Sequence, residues 1–509
     1  MLCMSFVCAL SQGVPEDAVN PAWEREIPRV VYPDKGLVEL YEKTWEIAAK
    51  RVRKGPEGMV ATPYLDENCY DDQIWIWDGC FMVLFSKYAP KAYPGKETLM
   101  NYYVPIHDGV RTPLLIHFRD NPPLFAWVEH ENYRFTGDKP HIDKVLCEKR
   151  YLQRHFEYFD TVSKGNVNTD ISPAYNPIHR GVVRDSAGEI IGYTWSGRAS
   201  GMDNTVRGRD AGGYDKVMWV DAISQQALSA LHISELLKAT GDKTHAREWR
   251  ERYEKIRRIV NERYWDEQDG FYYDISVADG KPCRVMTPAS YWAMLAGIPS
   301  AKQAERMVEY LLRDDCLGGE RPWVTISRRD KDYNDSTGDY WRGGIWLPTA
   351  YMGTKALEKY GYYELADELA ERVVRQQFRT YKAVEPHTIW ECYSPSADEP
   401  STEHGRRARQ DFCGWSALGP ISLFIENIMG FRSADALNKT VRWTLKGKNG
   451  THGLRNFQFG DIRTDIVYDA DKGRIKTCSN KPYCLDVNGK KIAVKAGQHS
   501  YRLAPKYLR

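Results

Sequence analysis

Between about residue 35 and residue 430, apolar side chains recur every three to four positions, the period of a helix with one buried face. In 363–378, Leu365, Ala366, Leu369, Ala370, Val373 and Val374 fall on one side, with Asp367, Glu368, Glu371, Arg372 and Arg375 opposite. Segment 300–313 repeats the pattern with Ala304, Met307, Val308, Leu311 and Leu312. It opens on Ser300 and Gln303, the spacing of a capping box that satisfies the free amides of a first turn. Segment 242–264 carries Trp249, Tyr253, Ile256, Val260 and Tyr264 on its stripe. Comparable patterns run near 37–53, 78–88, 96–104, 124–135, 140–163, 215–239, 288–296, 343–360 and 414–429. That makes about twelve helices, mostly in consecutive pairs punctuated by turns such as Thr240-Gly241-Asp242 and Tyr360-Gly361-Tyr362. Paired helices without strand alternation between them predict a mainly α fold, an (α/α)6 toroid in which six inner helices surround a funnel. An irregular helical solenoid is the structural alternative, although no solenoid repeat is visible.

After about residue 437 the pattern changes. Val441-Arg442-Trp443-Thr444-Leu445, Ile466-Val467-Tyr468, Cys484-Leu485-Asp486-Val487 and Lys491-Ile492-Ala493-Val494 alternate or run short, separated by Lys448-Asn449-Gly450 and Asn488-Gly489. Asn-Gly between such runs is a hairpin signal. The expected organisation is therefore a leader and N-terminal arm over 1–34, a helical body over 35–436 and a small antiparallel β module over 437–509. The module's expected task is packing on the helical body, with sugar binding the lesser alternative.

Composition narrows the function classes. Lys plus Arg number 71 and Asp plus Glu 69, a net charge of +2, so neither nucleic acid nor an anionic membrane is the expected partner. The chain carries 16 Trp and 32 Tyr. These residues fill a large core or stack their faces on sugar rings, and composition by itself favours the core. Eleven cysteines are scattered without a CxxC pair or zinc spacing, and no metal or cofactor is expected. Cys478 and Cys484 are near enough in sequence for a local staple. The start, Met1-Leu2-Cys3-Met4-Ser5-Phe6-Val7, is a short apolar run without the basic stretch of a complete secretory signal. No stretch reaches the roughly 18 apolar residues of a membrane span. A soluble protein is expected, either exported or cytoplasmic.

Loops on a rigid scaffold are where sites are assembled, and four of them combine Trp, acid and Gly. In Gln73-Ile74-Trp75-Ile76-Trp77-Asp78-Gly79, Asp78 caps the next helix or, with Trp77 as a platform, accepts from sugar hydroxyls. In Arg198-Ala199-Ser200-Gly201-Met202-Asp203-Asn204, small residues allow close backbone approach. There Asp203 among apolar neighbours gains the raised pKa of a general acid, although taken singly it reads as a loop or cap residue. In Asp339-Tyr340-Trp341-Arg342-Gly343-Gly344-Ile345-Trp346, Trp341 and Arg342 either form a cation–π pair or stack on and bond to a sugar. In Thr388-Ile389-Trp390-Glu391-Cys392-Tyr393-Ser394-Pro395, Glu391 is flanked by aromatics, and Phe412-Cys413-Gly414-Trp415-Ser416 follows. The stretch 396–410 reads as an exposed loop over the funnel, with Glu403 as a reserve candidate for the base.

Together the four segments resemble the clan of inverting (α/α)6 glycosidases, most closely glycoside hydrolase family 63 and its mannosylglycerate-hydrolase-like relatives, with family 37 trehalases more distant. The family's early Trp-Asp is matched by Trp77-Asp78, and its S-G-M/W-D acid segment by Ser200-Gly201-Met202-Asp203. Its Y-W-R-G-x-x-W motif is matched by Tyr340 through Trp346. Its E-N-Y-x-P base segment and F-x-W-S stretch are matched by Glu391-Cys392-Tyr393-Ser394-Pro395 and Phe412 through Ser416. The order is the family's, over roughly 60–430. Cys392 replaces the preferred Asn, one extra residue separates Phe412 from Trp415, and Arg198-Ala199 replaces the Glu that trehalases carry. These departures argue against trehalase itself.

The resemblance implies a glycosidase acting on an α-linked glucoside or mannoside without metal or cofactor. Asp203 would be general acid and Glu391 general base, about 6.5–9.5 Å apart as inversion needs. Trp77, Asp78, Trp341, Arg342, Trp390 and Trp415 would line the subsite. Two other readings stay open at this point. One is a polysaccharide lyase or sugar epimerase on the same toroid, using His387 or His404; the other is a glycan-binding protein that does not cut.

Overall fold

The computed structural model describes residues 19–20, 22–67, 70–117, 121–161 and 180–508. The expected leader thus lies outside the described residues up to position 18. Helices form where the apolar periodicity places them, and their ends follow capping chemistry. Asp34 accepts from the amides of Gly36 and Leu37 to open Lys35–Ala49. Ser300 and Gln303 form the reciprocal capping box that opens Ala301–Glu309. Gly241, left-handed at φ 100°, ends Val220–Thr240, and Asp242 caps Lys243–Arg263.

Burial alternates along the chain. Ile76–Ser86 is buried on every side, as are Tyr291–Leu295 and Gly419–Ile428, and Phe125–Thr136, Val220–Thr240 and Leu347–Lys359 nearly so. The helices between them bury one stripe: Lys35–Ala49, Gly95–Asp108, Tyr151–Thr161, Lys243–Arg263, Ala301–Glu309 and Tyr363–Ala383. Lys243–Arg263 buries only Ala246, Trp249, Tyr253, Ile259 and Val260. The first of these helices packs on Tyr363–Ala383 and Gly419–Ile428, near the other end of the body.

Several expectations need correction. The helix expected over 140–163 is broken: Lys139–Ile142 runs into a wider turn, Asp143–Glu148, and Arg150 at φ 52° interrupts the chain before Tyr151–Thr161. Strands do occur between helices, as in Val52–Arg53 with Tyr64–Leu65, Gln73–Trp75 with Leu115–His117 and Gly181–Arg184 with Ile190–Thr194. Runs of two to five residues are too short for a period of two to register in sequence. The β module is not wholly antiparallel. Its four-stranded sheet runs Phe431–Asp435, Thr440–Trp443, Tyr483–Val487, Lys490–Val494, with the central pair parallel. The chain leaves for the other sheet between those two strands, so it returns by a crossover.

The five-stranded sheet takes its edge from the N-terminal arm. Arg29–Val31 pairs with His452–Phe459, followed by Ile462–Asp469, Arg474–Ser479 and Gly497–Arg502. Asn488 (φ 50°) and Gly489 (φ 87°) make the expected hairpin turn. Cys478 and Cys484 are free thiols on strands of different sheets, so no local staple forms.

Candidate active site

The four loops converge where fully buried helices begin. Trp75 precedes Ile76–Ser86 and Trp346 precedes Leu347–Lys359, while Trp415 leads into Gly419–Ile428. Asp78 sits in the first turn of Ile76–Ser86, buried, where the helix dipole favours an acid.

Asp203 is placed by a chain of small-residue contacts. Ser196 caps the short helix Gly197–Ser200, and Gly201 ends it left-handed at φ 82°. A Cβ on Gly201 would lie 2.9 Å from the Trp77 indole, so the backbone beside Asp203 lies flat on that ring. Asn204 then clasps the third loop, donating to the Asp339 carbonyl at 2.9 Å and accepting from the Trp341 amide at 2.8 Å. The Arg207 guanidinium anchors the segment, forking onto Asp221 at 2.6 and 2.8 Å and onto Asp274 at 2.8 and 2.6 Å.

Glu391 is buried in a frame of single strand bridges, Ile345 with Tyr393 and Trp390 with Gln410. Its amide donates to the Arg409 carbonyl at 2.8 Å, and its carbonyl accepts from Trp415 Nε1 at 2.7 Å. Its carboxylate accepts from Tyr340 Oη at 2.7 Å, Arg409 Nη1 at 2.8 Å and the Arg409 amide at 3.3 Å. Tyr340 and its neighbour Asp339 hold φ of 65° and 31°, strained for residues with side chains.

The electrostatics separate the two acids. Burial, then the charges of Glu391 and Glu403, push Asp203 up to about 7, against the opposing pull of Arg198 and Arg409. Glu391 is also raised by burial, but Arg409, Tyr340 and the Arg409 amide all favour its charged form. Asp78 is held well above the usual carboxylate range by burial, with Glu391 and Asp203 adding to the effect. The three acids therefore share one field.

The remaining expected residues fall around this group in distinct ways. Trp77 is buried against Gly201 and Phe81. Trp341 stacks on Trp346 with centroids 4.0 Å apart, leaving one face covered. Trp390 has the Arg407 guanidinium over its ring at 5.5 Å. Trp415 holds the Glu391 carbonyl and packs on Phe412 and Trp346. Arg342 is on the rim, its Nε donating to the Asn204 carbonyl at 3.3 Å. Glu403 lies on the small hairpin Thr402–Glu403 with Arg406–Arg407, near enough for its charge to act on both acids. His387 faces away, bonded to the Tyr381 carbonyl at 2.7 Å and to Glu385 at 3.0 Å, and His404 is exposed on the hairpin turn.

Sequence reading missed Glu67, Arg409 and the role of Tyr340. Glu67 is buried beneath Gly414, and burial with the charges of Asp66 and Asp78 holds its carboxyl well above the ordinary value. Nothing in the surrounding sequence marks it. Tyr340 stands inside a motif already noted, and only the fold reveals which acid it touches.

Residues 109–416, over half of the chain, match the family of the mannosylglycerate hydrolase MGH1-like glycoside hydrolase domain. The mannosylglycerate hydrolase of Rubrobacter radiotolerans is 28% identical over 144 residues, 28% of this chain and 32% of that protein. The matched region thus spans about a third of that relative. A solved sialidase superposes with a TM-score of 0.69 at 15% identity, over 93% of this chain and 41% of its own. A glycoside hydrolase family 63 mannosylglycerate hydrolase from Thermus thermophilus, in complex with glucose, superposes with a TM-score of 0.56 at 16% identity. That likeness covers 75% of this chain and 99% of the Thermus chain. The described helices are not long and apolar enough to cross a membrane.

Proposed function

The chain belongs to the mannosylglycerate hydrolase MGH1-like glycoside hydrolase family and is therefore a glycosidase, and we propose that it cleaves an α-linked glucoside or mannoside with inversion, Asp203 serving as general acid and Glu391 as general base. The observation that carries this reading is the opposed setting of the two carboxyls. Asp203, at about 7, holds a proton to give. Glu391 is surrounded by donors that stabilise its ionised form. The Asp203 proton passes to the glycosidic oxygen as the C–O bond breaks. Glu391 takes a proton from a water whose oxygen bonds to the anomeric carbon on the opposite face.

Asp78 is read as an acceptor for sugar hydroxyls, with Trp77, Trp341 and Trp390 enclosing the ring and Arg342 reaching the aglycone side. Trp415 orients the base through its backbone. A gluco- or manno-configured substrate is supported by the Rubrobacter relative's name and by the glucose held in the Thermus structure. The alternation of six enclosed and six one-faced helices, with the first packed on the last, supports a closed (α/α)6 ring from about residue 35 to 430, carrying a β module whose first strand, Phe431–Asp435, starts ahead of the expected boundary at 437.

The test is a panel of α- and β-linked glucosides and mannosides, mannosylglycerate included, with proton NMR of the anomer first released. Release of the β-anomer from an α-glycoside is expected. Release of the α-anomer would refute inversion, and turnover of β-glycosides alone would refute the linkage.

A further inference from the structure

Ile76–Ser86 and Leu347–Lys359 start at the loops of the candidate site and, at about 1.5 Å per residue, carry the chain away from it. Lys87 follows the end of Ile76–Ser86, and Lys355, Glu358 and Lys359 end Leu347–Lys359. Their ends line a cavity of about 810 Å³, bordered on its other side by β-module residues such as Phe431, Arg442 and Lys491. Neither Asp203 nor Glu391 borders it.

Among the described residues, His130, His232 and Glu235 bring three metal-type donor atoms within 4.8 Å of one another on its wall. His232 and Glu235 are three residues apart on one face of Val220–Thr240, and His130 projects from Phe125–Thr136. His130 Nε2 is 3.3 Å and His232 Nδ1 3.1 Å from Glu235 Oε2. Ligands on a tetrahedral ion with bonds of about 2.0–2.1 Å sit roughly 3.3 Å apart along an edge. The second nitrogen of His130 faces Glu131 Oε1 at 3.2 Å, the carboxylate–imidazole pairing that orients metal-bound histidines.

We propose that His130, His232 and Glu235 form a binding site for a zinc-like divalent transition metal at the base of the helical body, with the cavity supplying a fourth, exchangeable water. The two imidazoles select for such an ion over calcium or magnesium. The Lys359 charge reaches Glu235 and the Lys87 charge reaches Glu131 beside His130, so an ion here has to be held by coordination and not by net charge alone. The ion joins two enclosed helices that come from different parts of the chain, so its effect is on stability at the end remote from the acids. Sequence reading expects no metal because His130 and His232 lie on separate helices, without the local spacing that marks a zinc motif.

The test uses the full chain, stripped with chelator and titrated with zinc sulfate by calorimetry. Thermal melts and the visible spectrum of the cobalt-substituted protein complement the titration. One zinc per chain, a raised Tm and tetrahedral cobalt bands are expected. Glu235→Gln and His232→Ala should abolish all three, and Glu131→Gln should weaken zinc by about 10- to 100-fold, each with glycosidase activity retained. His387→Ala should bind zinc as the unaltered chain does. No stoichiometric binding, or equal binding by Glu235→Gln, overturns the site. Glu235→Gln keeps the titration decisive if His232→Ala, altered at a buried position, fails to fold.

Discussion

Tyr340 donates its hydroxyl to Oε1 of Glu391 at 2.7 Å from a left-handed backbone with φ of 65°. The strain persists because Asn204 grips both flanks of Tyr340, at Asp339 and Trp341. The loop of Asp203 thus positions the residue that bonds to Glu391, the proposed base. Tyr340→Phe removes a donor that favours ionised Glu391, so the base pKa rises. The acidic limb of the kcat/KM profile should move to higher pH, with kcat falling about tenfold. An unmoved acidic limb would separate Tyr340 from the base.

As the proposed general acid, Asp203 has to carry a proton to work. Activity should fall as pH rises through about 7, approaching tenfold per unit beyond it. The same shift bears on stability, because the folded state binds a proton that the unfolded chain releases near 3.9. Stability from this group is therefore lost as pH rises from about 4 through 7. Asp203→Asn, which has no charge to bury, should melt higher than the unaltered chain at pH 8 and lose that advantage towards pH 4.

Either amide substitution, Asp203→Asn or Glu391→Gln, should lower kcat by about 10²–10⁴-fold while sugar binding persists. Calorimetry with an intact substrate on each variant checks this. Loss of binding in both would assign the acids to recognition instead of proton transfer.

Gly201→Ala places a methyl 2.9 Å from the Trp77 ring at φ 82°. The overlap and the backbone strain should together cost about 1–3 kcal/mol. Because Asp203 follows two residues later, kcat should drop along with Tm. A variant that melts normally and turns over normally would show that the Gly201–Trp77 contact does not set the acid.

Arg207→Met leaves Asp221 and Asp274 buried without their cation. The cost should be about 3–5 kcal/mol near pH 7. Burial raises the Asp221 carboxyl and Arg207 opposes that rise, so without the cation Asp221 takes up a proton more readily and the defect should shrink as pH falls towards 4. Paired melts at pH 7 and pH 4.5 test the sign.

Much of this was legible one residue at a time. The stripe at Leu369, Ala370, Val373 and Val374, and the capping pair Ser300 and Gln303, are local signals, because helix period and first-turn chemistry depend on neighbours within four positions. Asp203 and Glu391 were not legible singly, where they read as a loop residue and a surface charge; only the four segments in the family's order marked them as a candidate pair. The strands of two to five residues between helices left no trace, because their partners, not their own pattern, define them.

What the chain encodes by itself is most of the helices, the hairpin at Asn488-Gly489 and the segments that carry Asp203 and Glu391. Which groups face those two carboxyls was decided only in three dimensions. Tyr340 and Arg409 on Glu391, Glu67 and Asp78 nearby, and His130 beside His232 are meetings between segments far apart in sequence. A pKa or a metal geometry depends on distance and on the loss of water, and packing decides both.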